Sequence, residues 1–343
     1  MRPADARALL ARLMPAGVAD RAGWATDIYA SFAAMEIAPT PANMCAVIAV
    51  TEQESGFRAD PTVPGLGALA WKEIDGRAER AGVPQLLVRA ALGLSSPTGK
   101  SYGQRIDAAK TERELSDIFD DFIAMVPMGK RLFARWNPVR TGGPMQVSVT
   151  FAETHATRRP YPYPLQGALR HEVFTRRGGM YFGIAHLLDY PAPYPAMVYR
   201  FADFNAGHYA SRNAALQRAI TLASGIPLEL DGDLIRNDGD AGAVPGATEL
   251  AARTLGARLK MSTQDIRRDL ERGDRLGLER TVLAERTFAL ADQLEGKRVP
   301  RAVLPGIELK SPKITRKLTT EWFAQRVDER YKRCLTRADA PRG

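Results

Sequence analysis

Two carboxylates two positions apart offer the sharpest chemistry in the chain. They lie in Ala49-Val50-Thr51-Glu52-Gln53-Glu54-Ser55-Gly56-Phe57-Arg58, where an apolar helical run stops at a glycine. The last turn of a buried helix suits a general acid, because rigid backbone aims the carboxyl and apolar surroundings raise its pKa toward neutrality. Glu52 and Glu54 cannot share a helix face, so one can enter a cleft while the other meets solvent. Read alone, the same Glu-Ser pair also describes a solvated helix end.

Two further segments change that reading. Gly143-Pro144-Met145-Gln146 and Phe204-Asn205-Ala206-Gly207 follow in order, and Gly183-Ile-Ala-His-Leu-Leu precedes the second of them. With Glu54-Ser55-Gly56-Phe57 they resemble the lytic transglycosylase and goose-type lysozyme superfamily. That family shows Glu-Ser, then Gly-Leu-Met-Gln in a small β-hairpin, then Ala-Tyr-Asn-Ala-Gly opening a late helix. The wider chain is also similar to an uncharacterised group of proteobacterial envelope lipoproteins.

The resemblance covers roughly residues 40–222. It implies that Glu54 is the catalytic acid, that Ser55 and Gln146 hold the sugar, and that Met145 packs at the groove floor. Asn205 and Gly207 match late-helix positions that support the acid and the substrate. Two departures stand out. Glu54 and Met145 are much farther apart than in compact members, so a large insertion occupies about 58–142, a lobe that could cover the groove. Phe204 replaces the tyrosine whose hydroxyl usually bonds the catalytic carboxyl. Tyr199 and Tyr209 are the nearby hydroxyls, and Tyr209 is counted with the substrate-binding residues.

The mechanism implied needs one carboxylate and no cofactor or metal. Glu54 protonates the glycosidic oxygen as the bond to N-acetylmuramic acid breaks. It then acts as base toward the sugar's own 6-hydroxyl, which closes a 1,6-anhydro ring. The N-acetyl group takes the place of the second carboxylate of ordinary glycosidases. A hydrolytic lysozyme would need a second acid to activate water, with Asp60, Glu73, Glu153 and Asp203 as candidates. A non-catalytic peptidoglycan-binding or scaffolding protein is the alternative from another class, and Phe204 favours it. Arg158, Arg159, Tyr161 and Tyr163 would suit a sugar- and peptide-binding rim, or simply a rigid proline-rich loop.

Other patterns do not develop into sites. Gly93-Leu-Ser-Ser-Pro-Thr-Gly99-Lys100-Ser101 brackets five residues where a phosphate loop needs four. His171-Glu172 lacks the second histidine of a metalloprotease helix, and His155, His186 and His208 are scattered. Asp231-Gly-Asp233 and Asp238-Gly-Asp240 lack the closing glutamate of a calcium loop and read as a turn-rich linker. Lys310, Lys313, Arg316 and Lys317 read as a solvated basic face.

The elements that must position these residues are mostly helical. Spacing predicts helices over 4–14 and 20–36. Thr40-Pro41 opens another through about Ser55, and Thr111-x-x-Glu114 forms a capping box for one running to about Val126. Met145 to Phe151 alternates as a short strand after the Thr141-Gly142-Gly143-Pro144 turn. Helices are expected over 179–189, 195–222, 247–292 and 313–337. The fold class is therefore predominantly helical α+β, with a lysozyme-like core, one small β-hairpin, and helical N- and C-terminal additions. The expected domains are an N-terminal helical segment (1–39), a core (40–225) and a basic helical region (226–343).

The 343 residues, 45% hydrophobic and 25% charged, describe a globular chain able to bury a core without staples. The formal net charge of +9 is spread along the chain. That argues against nucleic acid and suits a polyanionic cell wall. Two cysteines, Cys45 and Cys334, exclude a disulfide scaffold but permit one bridge. No apolar run reaches the ~18 residues of a membrane span. The resemblance implies a periplasmic protein tethered to the outer membrane by a lipid anchor, with the export signal trimmed.

Overall fold

The computed structural model describes residues 1–125, 127–165, 167–192, 194–236, 244–309 and 318–340. It is predominantly helical α+β and divides into two compact units, Met1–His186 and Leu187–Gly343.

In the first unit α1 (Pro3–Leu13) packs against α2 (Arg21–Ala34) and α3 (Pro41–Glu54). Pro41 sits at the first turn of α3, and the Thr40 hydroxyl accepts the Asn43 N–H, as the sequence predicts. Every residue from Met44 to Thr51 is buried. A helix apolar on all sides can only be a core helix, and each large aliphatic chain buried in it contributes about 1.5–3 kcal/mol. α3 stops because Gly56 and Phe57 both turn left-handed, at φ 58° and 62°.

Residues 58–140 form α4 (Leu66–Arg80), α5 (Gln85–Leu92), α6 (Tyr102–Ala108), α7 (Glu112–Ala124) and α8 (Gly129–Phe133). Tyr102, Ile106 and Ile118 anchor a small hydrophobic cluster of their own there. Both halves of the Thr111/Glu114 capping box form. The Gly93–Ser101 segment ends in a second capping box, where the Ser101 hydroxyl accepts the Gln104 N–H.

Then comes the hairpin, β1 (Thr141–Gly142) against β2 (Val147–Ser148), antiparallel with Gly142 opposite Val147. The strand expected over 145–151 is corrected to these two residues of β2. The Ser148 side chain accepts the Phe151 N–H and caps α9 (Val149–Arg158), so the β-branched run folds as helix. α10 (Leu169–Val173) and α11 (Arg176–Leu188) follow. The hairpin tip lies hard against them. A Cβ on Gly143 would sit 2.1 Å from the Val173 carbonyl oxygen, and one on Gly183 would sit 2.5 Å from Met145 Cβ and Sδ.

In the second unit the helix expected over 195–222 is two: α12 (Met197–Ala206) and α13 (Ala210–Ser224). Gly207 at φ 107° and Tyr209 at φ 68° break them apart. The span 247–292 likewise divides into α14 (Ala247–Thr254), α15 (Gly256–Leu259), α16 (Thr263–Leu270) and α17 (Val282–Glu295). Left-handed Lys260 and the Ser262 cap separate α15 from α16. α13 packs on α17, and α18 (Thr320–Asp339) packs on α12. Lys310, Lys313, Arg316, Lys317 and Asp238–Asp240 lie outside the described residues. No helix among the described residues is long and apolar enough to cross a membrane. Neither cysteine is a free thiol.

Gly183→Ala tests the hairpin packing. The added methyl overlaps Met145, so the variant should lose about 1–3 kcal/mol of stability in urea unfolding. A second check concerns the cysteines. Thiol titration of denatured, unreduced protein should find none, and both should appear after reduction.

Candidate functional site

Glu54 is the last residue of α3 and is half-buried. It follows Thr51 by three positions and so lies on the same side of the helix. Thr51 is fully buried, and its hydroxyl points at Met180 Sδ of α11, 3.8 Å away. Met145 is fully buried against Gly183, three positions farther along α11. The last turn of α3 and the hairpin tip therefore rest on the same face of one helix, one turn apart.

Ser55 is buried, and its hydroxyl is absorbed by the helix end. It donates to the Thr51 carbonyl at 3.1 Å and accepts the Arg58 N–H at 3.3 Å. Gln146 is half-buried with φ 50°, and its Nε2 donates to the Gly143 carbonyl at 3.2 Å. A non-glycine residue in the left-handed region costs on the order of 1 kcal/mol or more and persists only where surrounding contacts impose it.

The late-helix residues belong to the second unit. Asn205 is exposed, and its Oδ1 accepts the Thr320 hydroxyl at 3.0 Å. Tyr209 is buried in the α12–α13 turn beneath the Arg212 guanidinium, 4.2 Å from its ring centre. Burial pushes its phenol up. Tyr199 gives its carbonyl to the Ser211 hydroxyl. What organises this turn is Asp203, wholly buried. One carboxylate oxygen accepts Tyr190 OH, Tyr194 OH and Tyr209 N–H at 3.1, 2.6 and 2.9 Å, and the other accepts Ser211 N–H at 2.7 Å. Desolvation raises its pKa against those hydrogen bonds.

The carboxylates considered for activating water are committed elsewhere. Asp203 is saturated as just described. Glu73 pairs with Arg77 at 2.6 Å. The Asp60 carboxyl, raised by burial, leans on Thr111 at the start of α7. Glu153 is exposed on α9. His171 and Glu172 also diverge: His171 Nε2 lies 3.4 Å from Asp120, while Glu172 points inward.

Glu172 leads to residues that sequence reasoning missed. It accepts Tyr161 OH at 2.8 Å and two bonds from Arg177, both at 3.1 Å. Burial works to raise its pKa, but the Arg177 and Tyr161 hydrogen bonds prevail and hold it below 4.5. Beside this pair a cleft of about 630 Å³ opens, bounded by Trp24, Asp27 and Arg176 and reaching Phe57, three residues beyond Glu54. Of the expected rim, Tyr161 is drawn to Glu172, Tyr163 lies under Arg177 at 5.0 Å, and Arg159 binds the Ala34 carbonyl. No motif flagged Asp27 or Arg176, because their pairing spans 149 positions of sequence, and Glu172 stood out only beside His171 in a pattern that led to no site.

Fold and site together define a helical protein with a small hairpin docked beside a charge-paired cleft. The chain belongs to the family described as "Protein of unknown function (DUF1615)", whose model matches residues 17–337. It is 56% identical over 331 residues to the uncharacterized protein YaiW of Escherichia coli (strain K12), across 96% of this chain and 90% of that protein. No solved structure matches it.

Because its pKa is lowered, the Glu172 carboxylate contributes stability that is complete above 4.5 and disappears as pH falls through the lowered value. Glu172→Gln should cost about 2 kcal/mol at neutral pH, less than a wholly buried pair because Arg177 is partly exposed. Thermal melts between about pH 7 and 3 should show that difference shrinking with acidity.

Proposed function

We propose that this protein is a peptidoglycan lytic transglycosylase that cleaves the bond between N-acetylmuramic acid and N-acetylglucosamine and leaves 1,6-anhydro ends. The observation that carries the reading is the meeting of the last turn of α3 and the hairpin tip on one face of α11. It brings the elements of Glu54 and Gln146 together at the end of a buried helix, whose rigid backbone aims a carboxylic acid.

Glu54 serves as acid toward the glycosidic oxygen and then as base toward the 6-hydroxyl. Gln146 offers an amide held in place by its Gly143 contact and its left-handed backbone. Met145 fills the floor. The resemblance also assigns supporting roles to Asn205, Gly207 and Tyr209 of the late-helix motif. Because the four alternative carboxylates are engaged or exposed elsewhere, the ring-closing route is favoured over hydrolysis. The site of action is the periplasm, with lipid anchorage to the outer membrane and peptidoglycan glycan strands as partner. Two cysteines without a free thiol are consistent with an oxidising compartment. One observation favours a second reading, glycan binding without turnover: buried Phe204 supplies no hydroxyl for a catalytic carboxyl.

Purified protein incubated with sacculi should release muropeptides one water lighter than hydrolysed ones, as read by mass spectrometry. Glu54→Gln, folded by circular dichroism, should lower that release by about 10²–10⁴-fold. Binding to sacculi without release, identical in both proteins, would replace cleavage with the second reading. Products carrying the added water would make the enzyme a hydrolase.

A further inference from the structure

We propose that the outer side of α5 is a docking surface for an anionic phospholipid bilayer, inserted at the level of the headgroups. The contact is made by side chains of the fold, separate from any acyl anchor and independent of what Glu54 does.

α5 is an apolar helix left on the surface. Its eight residues carry one charge, Arg89, and are otherwise apolar but for Gln85, a composition suited to a helix covered on all sides. Its inner side is covered: Val88 and Leu92 pack into the cluster around Tyr102 and Ile106. Arg89 fixes the rotation of the helix. Its guanidinium lies over the Trp71 ring at 3.8 Å, and its Nη2 donates to both Asp75 oxygens at 2.9 and 2.7 Å. With these positions seated, Leu86, Leu87 and Ala90 turn to solvent. Val83 stands four positions before Leu87 and Leu94 seven after it, so both extend the same stripe. Leu86 is 80% exposed, Leu87 59%, Leu94 54% and Val83 41%. With Met125, Met128 and Trp136, residues 58–140 hold seven of the fifteen exposed large apolar side chains among the described residues, so this apolar surface is localised, not scattered.

Charge identifies the occupant. The stretches 81–101 and 122–140 supply all seven of those side chains and contain no Asp or Glu, yet carry Arg89, Lys100, Lys130, Arg131, Arg135 and Arg140. Arg77, in the last turn of α4, donates to the Trp136 carbonyl at 3.1 Å, which brings the second stretch to the end of α4 from which α5 departs. Exposed Arg80 precedes Val83 at one end of the stripe. Exposed Lys100 sits beyond Leu94 at the other, on a tight turn where the Ser96 N–H donates to the Lys100 carbonyl. The nearby carboxylates lie aside: Asp75 is paired with Arg89, and Glu79 lines the same recess along α4. Apolar side chains bracketed by cations match anionic headgroups above a hydrocarbon interior. They do not match a second copy, because a stable protein interface buries about 800 Å² and about 20–30 residues on each side. Seated on its own cluster and clamped by Arg89, α5 meets the bilayer already ordered.

The test floats the full chain, without an acyl group, with vesicles of phosphatidylcholine that contain or lack phosphatidylglycerol. The wild type should bind the phosphatidylglycerol vesicles, and bind the neutral ones several-fold more weakly. Leu86→Gln combined with Leu87→Gln, two exposed positions whose change spares the core, should weaken binding by about tenfold or more. Lys100→Gln should weaken it roughly fivefold on the anionic vesicles alone. Leu294→Gln, at a leucine of α17 that is 52% exposed, should leave binding unchanged. Absent binding by the wild type, equal binding to both kinds of vesicle, or undiminished binding by the folded double variant would each overturn the proposal. An equal loss in Leu294→Gln would overturn it as well, by showing that any exposed leucine suffices. A wild-type dimer that the double variant abolishes, in place of vesicle binding, would assign the stripe to a second copy and overturn the lipid surface.

Discussion

Close approach between the hairpin tip and α11 is the constraint on which the first unit depends. Met145 can reach the α11 backbone only because position 183 has no side chain, and the Val173 carbonyl sits where a side chain at 143 would be. A hairpin of two paired residues per strand has almost no stability of its own. It is held by burial of Met145 and Val147 and by the lack of bulk opposite them. Once seated, it compels Gln146 into the left-handed region and delivers it beside the helix that also supports Thr51. The positions with chemical potential are consequences of packing one apolar side chain against one glycine.

Buried carboxylates perform a parallel service in each unit. Asp203 gathers two phenols and two backbone N–H groups, closing the turn between α12 and α13 with no ion pair to a basic side chain among the described residues. Glu249 in α14 takes the other solution, bonding Arg253 at 2.5 Å and Arg267 at 2.8 Å from a fully buried position. Glu172 lies between these cases, with one phenol and one guanidinium. A buried carboxylate demands several donors, so each of these residues dictates the placement of segments distant in sequence. Residues saturated in this way are positioned as framework.

Signals whose physics is local are legible in the sequence. Thr40-Pro41, the Thr111/Glu114 capping box and the apolar run before Gly56 all produced the expected helices, since caps and φ preferences act within four residues. Elsewhere a short-range competitor overrides the pattern. β-branched Val147, Val149 and Thr150 looked like a strand, but the Ser148 hydroxyl could cap a helix and α9 began there. The long helix expected over 195–222 broke because Asp203 captures the N–H groups of Tyr209 and Ser211.

Two readings from sequence concerned function: the order of the Glu-Ser, Met-Gln and Asn-Ala-Gly segments, and a basic chain suited to an anionic wall. What the sequence by itself determined is the helical class, the buried character of α3, and the position of Glu54 at its end, because composition and periodicity encode burial directly. Only the tertiary structure decided that α3 and the hairpin share one face of α11, and that Asp20, Asp27, Glu172, Arg176 and Arg177 line one cleft. Those pairings link residues up to 156 positions apart, and charge complementarity leaves no periodic trace in a chain whose charged residues are everywhere.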